Sequence, residues 1–140
     1  MIAGIGTDLV TVSRVARVYA RFGERFARRV LHARELPDCR VSPDPARFLA
    51  KRFAVKEAAV KALGTGERTG VLLRDFHLEH DALGKPLLGV DGEAAARCRA
   101  DGITDRHVSL SDEGDLVSAF VVLERRAAGE TAEPSAPRAG

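Results

Sequence analysis

Residues Arg47-Phe-Leu-Ala-Lys-Arg-Phe-Ala-Val-Lys-Glu-Ala-Ala-Val-Lys-Ala-Leu-Gly-Thr-Gly66 decide how the chain is read. They belong to the longest stretch without a helix breaker, which predicts a helix from about Asp44 to Leu63. Asp44 suits the N-cap, Pro45 the first helical position and Gly64 the C-terminal stop. At about 100° per residue, Ala50, Phe53, Ala54, Glu57 and Lys61 share one face. Lys51 falls to one side of that face, and Arg52 and Lys56 toward the other. No side is uniformly polar, so the helix is expected to be central and enclosed. A carboxylate on a face of Ala and Phe is costly unless it is paired or binds a cation. Lys61, four residues after Glu57, is one candidate partner. A cation is the other.

Upstream, Ile2-Ala-Gly-Ile-Gly-Thr-Asp-Leu-Val10 reads as a strand. Period 2 puts Ile2, Gly4, Gly6, Asp8 and Val10 on one face. Glycine weakens a strand interior unless something must approach closely, so Gly4 and Gly6 leave room beside Asp8 for a helix, a ligand or both. Asp8 could equally be a turn or N-cap residue for the helix that follows. Val12 to about Tyr19 is a short helix, ended by Gly23. Glu24 to Val30 or Leu31 is a second, with Phe22, Phe26 and Val30 as its apolar stripe. His32 to Leu36 adds a further helical turn, and Pro37, Pro43 and Pro45 bracket a loop. Arg14, Arg17, Arg21, Arg25, Arg28, Arg29 and Arg34 crowd this region, which points to an anionic partner or to a solvated helix face.

Downstream the pattern turns to strands. Val71–Leu73 and Phe76–His80 are short strands, Asp81–Lys85 a hairpin turn, and Pro86–Val90 the return strand. Asp91 precedes a helix from Gly92 to about Ala100. Arg106–Ser111 and Leu116–Glu124 are strands joined by a turn at Asp112–Asp115, with His107, Ser109 and Ser111 on one face. Residues 127–140 hold no aromatic and no branched aliphatic side chain, which predicts a disordered tail behind one domain of residues 1–126.

Composition bounds the rest. The 140 residues are 45% hydrophobic and 30% charged with a formal net charge of +2, which is globular and not polycationic. Two cysteines make neither a disulfide framework nor a metal cluster and suit a cytoplasmic home. No signal peptide and no membrane-length apolar run is read. Asp8 and Glu57 are carboxylates on two elements, each on a face of small residues, and such oxygens suit a hard cation such as Mg2+. Lys51, Arg52, Lys56, Lys61, Lys85 and His107 are or can become cationic, as a diphosphate would require. Neither a Walker A loop nor a dinucleotide fingerprint is present.

Four motifs in order carry a family resemblance: Gly4-Ile-Gly-Thr-Asp8, Phe53-Ala-Val-Lys-Glu-Ala-Ala-Val-Lys61 with Ala62-Leu-Gly-Thr-Gly66, Gly84-Lys-Pro86, and His107-Val-Ser-Leu-Ser111. Over residues 1–126 the chain resembles the holo-acyl-carrier-protein synthases, the short 4'-phosphopantetheinyl transferases. The resemblance implies an α+β fold, with a small, mostly antiparallel sheet on a long central helix. It implies a homotrimer with active sites between subunits. It implies Mg2+-dependent transfer of 4'-phosphopantetheine from coenzyme A to a serine of an apo acyl carrier protein, releasing adenosine 3',5'-bisphosphate. Asp8 and Glu57 then resemble the metal ligands and Lys61 the diphosphate contact. Arg52 and His107 resemble contacts to the 3'-phosphate, and Lys85 and Pro86 the turn lining the nucleotide pocket. Gly64 and Gly66 let backbone approach the ligand, and Arg14, Arg21 and Arg25 receive the acidic carrier. The base for the serine is a metal-bound water or a water held by Glu57. Asp112 stands where many relatives place a His, and the resemblance gives it no role.

Two rival readings differ in kind. A binding module for nucleic acid or an acidic protein explains the arginines but not Asp8 and Glu57, and aromatic content of 5% is thin for base stacking. A phosphotransferase acting on a small nucleotide would need no carrier protein. The expected partners are the carrier, coenzyme A and further copies of the chain, with neither nucleic acid nor membrane.

Overall fold

The computed structural model describes residues 1–64, 70–127 and 129. In chain order the elements are β1 (Ile2–Thr11), α1 (Val12–Phe22), α2 (Glu24–Val30), α3 (Leu36–Val41), α4 (Pro45–Leu63), β2 (Phe76–His80), β3 (Pro86–Val90), α5 (Gly92–Ala100), β4 (Asp105–Glu113) and β5 (Leu116–Glu124). The class is α+β. β5 pairs antiparallel with β1 on one side and β4 on the other, and β2 and β3 form a separate hairpin. Among the described residues no helix is long and apolar enough to cross a membrane.

The α4 helix begins and ends where its sequence says. The Asp44 carboxylate accepts from the Arg47 backbone N–H at 3.1 Å, Pro45 opens the helix, and Gly64 closes it at φ 70°. Ten of its nineteen residues are buried, among them the charged Arg52 and Lys56, so no solvent face is given over to charge. The three-stranded sheet covers one side of it. β5 alternates, with Val117, Ala119, Val121 and Leu123 buried in the core and Leu116 and Phe120 exposed.

β1 crosses α4 at backbone contact. A Cβ at Gly4 would stand 1.9 Å from the Ala62 carbonyl oxygen, and one at Gly6 would stand 1.8 Å from that of Ala58. Only glycine facing alanine permits this approach, so the sequence gap beside Asp8 is filled by the helix itself.

The structure differs from the sequence reading at four places. A register shift between Ile2 and Gly4 turns Ile2 out, 60% exposed, while Ala3 packs against the core. His32 to Glu35 is a turn closed by the Glu35 N–H on the His32 carbonyl at 2.9 Å, separate from α2. The proline-bracketed loop contains α3, whose Pro37 falls in the first turn, where a missing N–H costs nothing. The expected strand Val71–Leu73 does not form; its last residue begins a 3-10 turn, Leu73 to Asp75. The expected tail beyond Ala127 falls, but for Gly129, outside the described residues.

Candidate active site

β1 delivers Asp8 to the side of α4, because Gly6 two residues earlier lies on Ala58. Asp8 and Glu57 line one cavity of about 260 Å³, with Phe53 on α4 and Arg14, Val15 and Val18 on α1. The Lys61 ammonium donates to the Thr7 carbonyl at 2.9 Å and to Asp8 Oδ1 at 3.1 Å. The pairing of Lys61 therefore runs across to the strand. The Asp8 side chain is 16% exposed and that of Lys61 55%. An inner carboxylate thus sits beneath a lysine whose ammonium remains open to an anionic ligand. Phe53 and Glu57 also line a second cleft of about 590 Å³, toward α2 and the 3-10 turn.

A third depression, of about 540 Å³, lies across α4 from Glu57. It is lined by Arg47, Phe48, Lys51 and Arg52 of α4, Gly84 and Pro86 of the hairpin, and Ser109 to Asp112 of β4. Arg52 and Glu57 are five residues apart, roughly 140° around the helix. The expected site residues are therefore divided within one chain. Asp8, Glu57, Lys61 and Arg14 gather at the first cavity, and Arg52 and Pro86 at the groove. Lys85 is exposed in the turn, held by its backbone to Asp81. His107 is exposed on β4, its Nε2 2.5 Å from Glu124 Oε1. Arg21 lies 5.1 Å over the Phe22 ring, and Arg25 is exposed on α2. Gly64 ends α4, and Gly66 lies outside the described residues. Asp112 accepts from Arg47 Nη1 at 3.1 Å and lies 3.6 Å from the Lys51 ammonium, tying β4 to the start of α4.

A buried charge cluster escaped the sequence reading. Glu35, only 4% exposed, pairs with the Lys56 ammonium and lies 3.1 Å from Arg52 Nε. Lys56 also donates to the Val30 carbonyl at 2.7 Å. Burial pushes the Lys56 ammonium down to about 8, against the pull of Glu35. Burial lowers Arg52 too, though Glu35 and Asp38 oppose it. In sequence Glu35 is one acid at the end of an arginine-rich stretch, 21 residues from Lys56, and no local signal points to the pairing. The only hint was a helix with charges on every side.

Residues 4–119 match the family model described as the 4'-phosphopantetheinyl transferase superfamily. The chain belongs to this superfamily, among the holo-[acyl-carrier-protein] synthases. A holo-[acyl-carrier-protein] synthase of Alkalilimnicola ehrlichii is 51% identical over 125 residues, 89% of this chain and 98% of the relative. The crystal structure of the Neisseria meningitidis holo-[acyl-carrier-protein] synthase superposes with a TM-score of 0.84 at 45% identity, covering 89% of this chain and 100% of that one. The Helicobacter pylori synthase, solved in complex with coenzyme A, gives 0.74 at 28% identity, covering 86% and 99%. The holo-[acyl-carrier-protein] synthase resemblance of the four motifs is thus confirmed over most of the chain, and the α+β sheet-and-helix architecture agrees with these structures.

Proposed function

We propose that residues 1–126 form a catalytic domain that moves 4'-phosphopantetheine from coenzyme A to a serine of an apo acyl carrier protein. The observation that carries the reading is the joint placement of Asp8 and Glu57 on one cavity, with the Lys61 ammonium bonded to Asp8 at its rim. In this reaction the serine oxygen bonds to the β-phosphorus of coenzyme A. The bond from that phosphorus to the oxygen bridging the diphosphate breaks, and adenosine 3',5'-bisphosphate leaves. Lys61 neutralises the diphosphate through its exposed ammonium. Glu57 holds a water that takes the serine proton.

The residues fit Mg2+. Among the described residues no group of three or more His, Cys, Asp or Glu could hold a metal alone, whereas Mg2+ needs only one or two carboxylates when substrate phosphate and water complete its shell. Asp8 and Glu57 would hold it, and it would supply positive charge against the diphosphate as phosphoryl transfer proceeds.

The division of the expected residues between two sides of α4 supports a homotrimer with sites between subunits. A donor contacting Asp8 and Glu57 of one copy would meet the groove of Arg52 and Pro86, with Lys85 in the adjoining turn and His107 on β4, from another. The outer sheet face supports the same assembly, since Ile5, Leu9 and Phe120 are 55%, 65% and 42% exposed on adjoining β1 and β5. Arg52 and His107 then meet the 3'-phosphate, and Gly64 and Gly66 let backbone approach the donor. Arg14, Arg21 and Arg25 receive the acidic carrier, and Arg14 on the cavity wall couples that docking to the site. Two buried free cysteines, Cys39 and Cys98, support the cytoplasm as its place.

The test incubates the protein with coenzyme A, Mg2+ and an apo carrier, reading the carrier mass. Addition of one phosphopantetheinyl group is expected, and its loss by at least 100-fold in Asp8→Asn and Glu57→Gln with the fold unchanged. No addition with several carriers, or full activity of both variants, refutes the reading. Turnover of a nucleotide without any carrier would indicate a different phosphotransferase.

A further inference from the structure

We propose that Glu35 is a positioning residue for the donor groove: it fixes the Arg52 guanidinium and so sets the preference for a donor bearing a terminal 3'-phosphate. This rests on the proposed reading of Arg52 as the 3'-phosphate contact.

Glu35 is placed by three parts of the chain. Its Oε1 accepts from the His32 backbone N–H at 2.9 Å and from the Lys56 ammonium, and its Oε2 accepts from the Leu78 N–H at 3.1 Å. The turn before α3, the α4 helix and β2 thus converge on one carboxylate that has almost no contact with water. A carboxylate so held cannot move to follow a partner, so the partner must come to it.

Arg52 is that partner. Its Nε lies 3.1 Å from Glu35 Oε2, and its guanidinium carbon lies 3.6 Å over the Phe48 ring. Nε is buried and is not aligned for a hydrogen bond, so ion-pair attraction and the Phe48 ring set the plane of the guanidinium. The side chain keeps 11% of its surface exposed and lines the groove. A planar fork held at a fixed angle is suited to a phosphate, and an arginine free to swing would pay rotamer entropy on every binding event. Glu35 itself reaches no ligand, so its effect on the donor passes through Arg52.

A merely structural Glu35 would lower stability and depress turnover with any donor. A positioning Glu35 changes one ratio, kcat/KM for coenzyme A over that for 3'-dephospho-coenzyme A. The experiment measures this ratio in the wild-type protein, in Glu35→Gln, and in Arg52→Ala as reference. Glu35→Gln is expected to cut the ratio at least 10-fold through KM for coenzyme A, with an effect within about threefold on the dephospho donor. If Glu35→Gln does not fold, the double variant Glu35→Gln/Lys56→Met replaces it, removing both buried charges at similar volume. A ratio lowered by Arg52→Ala but unchanged in the Glu35 variant overturns the positioning role and leaves Arg52 as the contact. A ratio near one in the wild type, or one unmoved by Arg52→Ala, overturns the reading of Arg52 and the positioning role with it.

Discussion

Replacing Gly6 by alanine should damage the fold and the site through the same contact. Gly6 has ordinary strand backbone, so alanine meets no conformational penalty there, and the cost is purely steric. The new Cβ would stand 1.8 Å from the Ala58 carbonyl oxygen and 2.8 Å from the Ala62 nitrogen. Both neighbours are backbone atoms of a buried helix and cannot swing aside. Bringing the first contact to 3.0 Å requires β1 and α4 to part by roughly 1.2 Å. Overpacking of this kind costs about 1–3 kcal/mol, and a backbone neighbour puts this site near 3. For a chain of this size the midpoint should fall by on the order of 10 °C. Asp8 is two residues along the same face, so the same parting stretches its 3.1 Å bond to Lys61 and misplaces it relative to Glu57. A misplacement of about 1 Å costs on the order of 100-fold in rate. The assays are a thermal melt by circular dichroism and the carrier mass shift, at a temperature where the variant is folded. A midpoint within about 2 °C of wild type together with undiminished transfer would refute the claim that this crossing positions the site.

Three further outcomes are expected. Asp44→Ala, which removes the acceptor of the Arg47 N–H, should cost about 1 kcal/mol by denaturant melt while Asp44→Asn retains most of it; equal losses would mean the cap is not what Asp44 supplies. The Lys56 ammonium titrates near 8 when folded and at its ordinary 10.5 when unfolded, so between these values the unfolded chain holds the extra proton and stability rises with pH, by up to about 3 kcal/mol. Lys56→Met should lack that rise, and identical pH slopes from pH 7.5 to 10.5 for the two proteins would sink the assignment. Reversing Arg14 and Arg21 to Glu should raise KM for the carrier at least 10-fold more than KM for coenzyme A, and steady-state kinetics giving equal changes would count against docking at α1.

Much of the fold was legible because its signals are local. The limits of α4 follow from Asp44, Pro45 and Gly64, each acting within one turn. The span Leu116 to Glu124 reads as β5 from its own residues, and the Asp81–Lys85 turn marks the hairpin. The misreadings came where local signals compete. Pro37 signals a loop by residue type yet stands at a tolerated position in the first turn of α3, and the bulge at Ala3 breaks the period that would place Ile2 on the face of Gly4.

For the site, sequence by itself determined the residue types and the family. Two glycines before an aspartate, a Lys-Glu-x-x-x-Lys helix, Gly84-Lys-Pro86 and His107 to Ser111 were enough for that, since each motif is contiguous. Only the tertiary structure decided who pairs with whom. Lys61 reaches Asp8, 53 residues away, because Gly6 brings β1 against Ala58. Glu35 meets Arg52 and Lys56 because the turn before α3 packs on α4. Arg52 and Glu57, five residues apart, serve different depressions because a helix turns 100° per residue. Burial and long-range contact set these partnerships, and neither is a property of any short stretch of the chain.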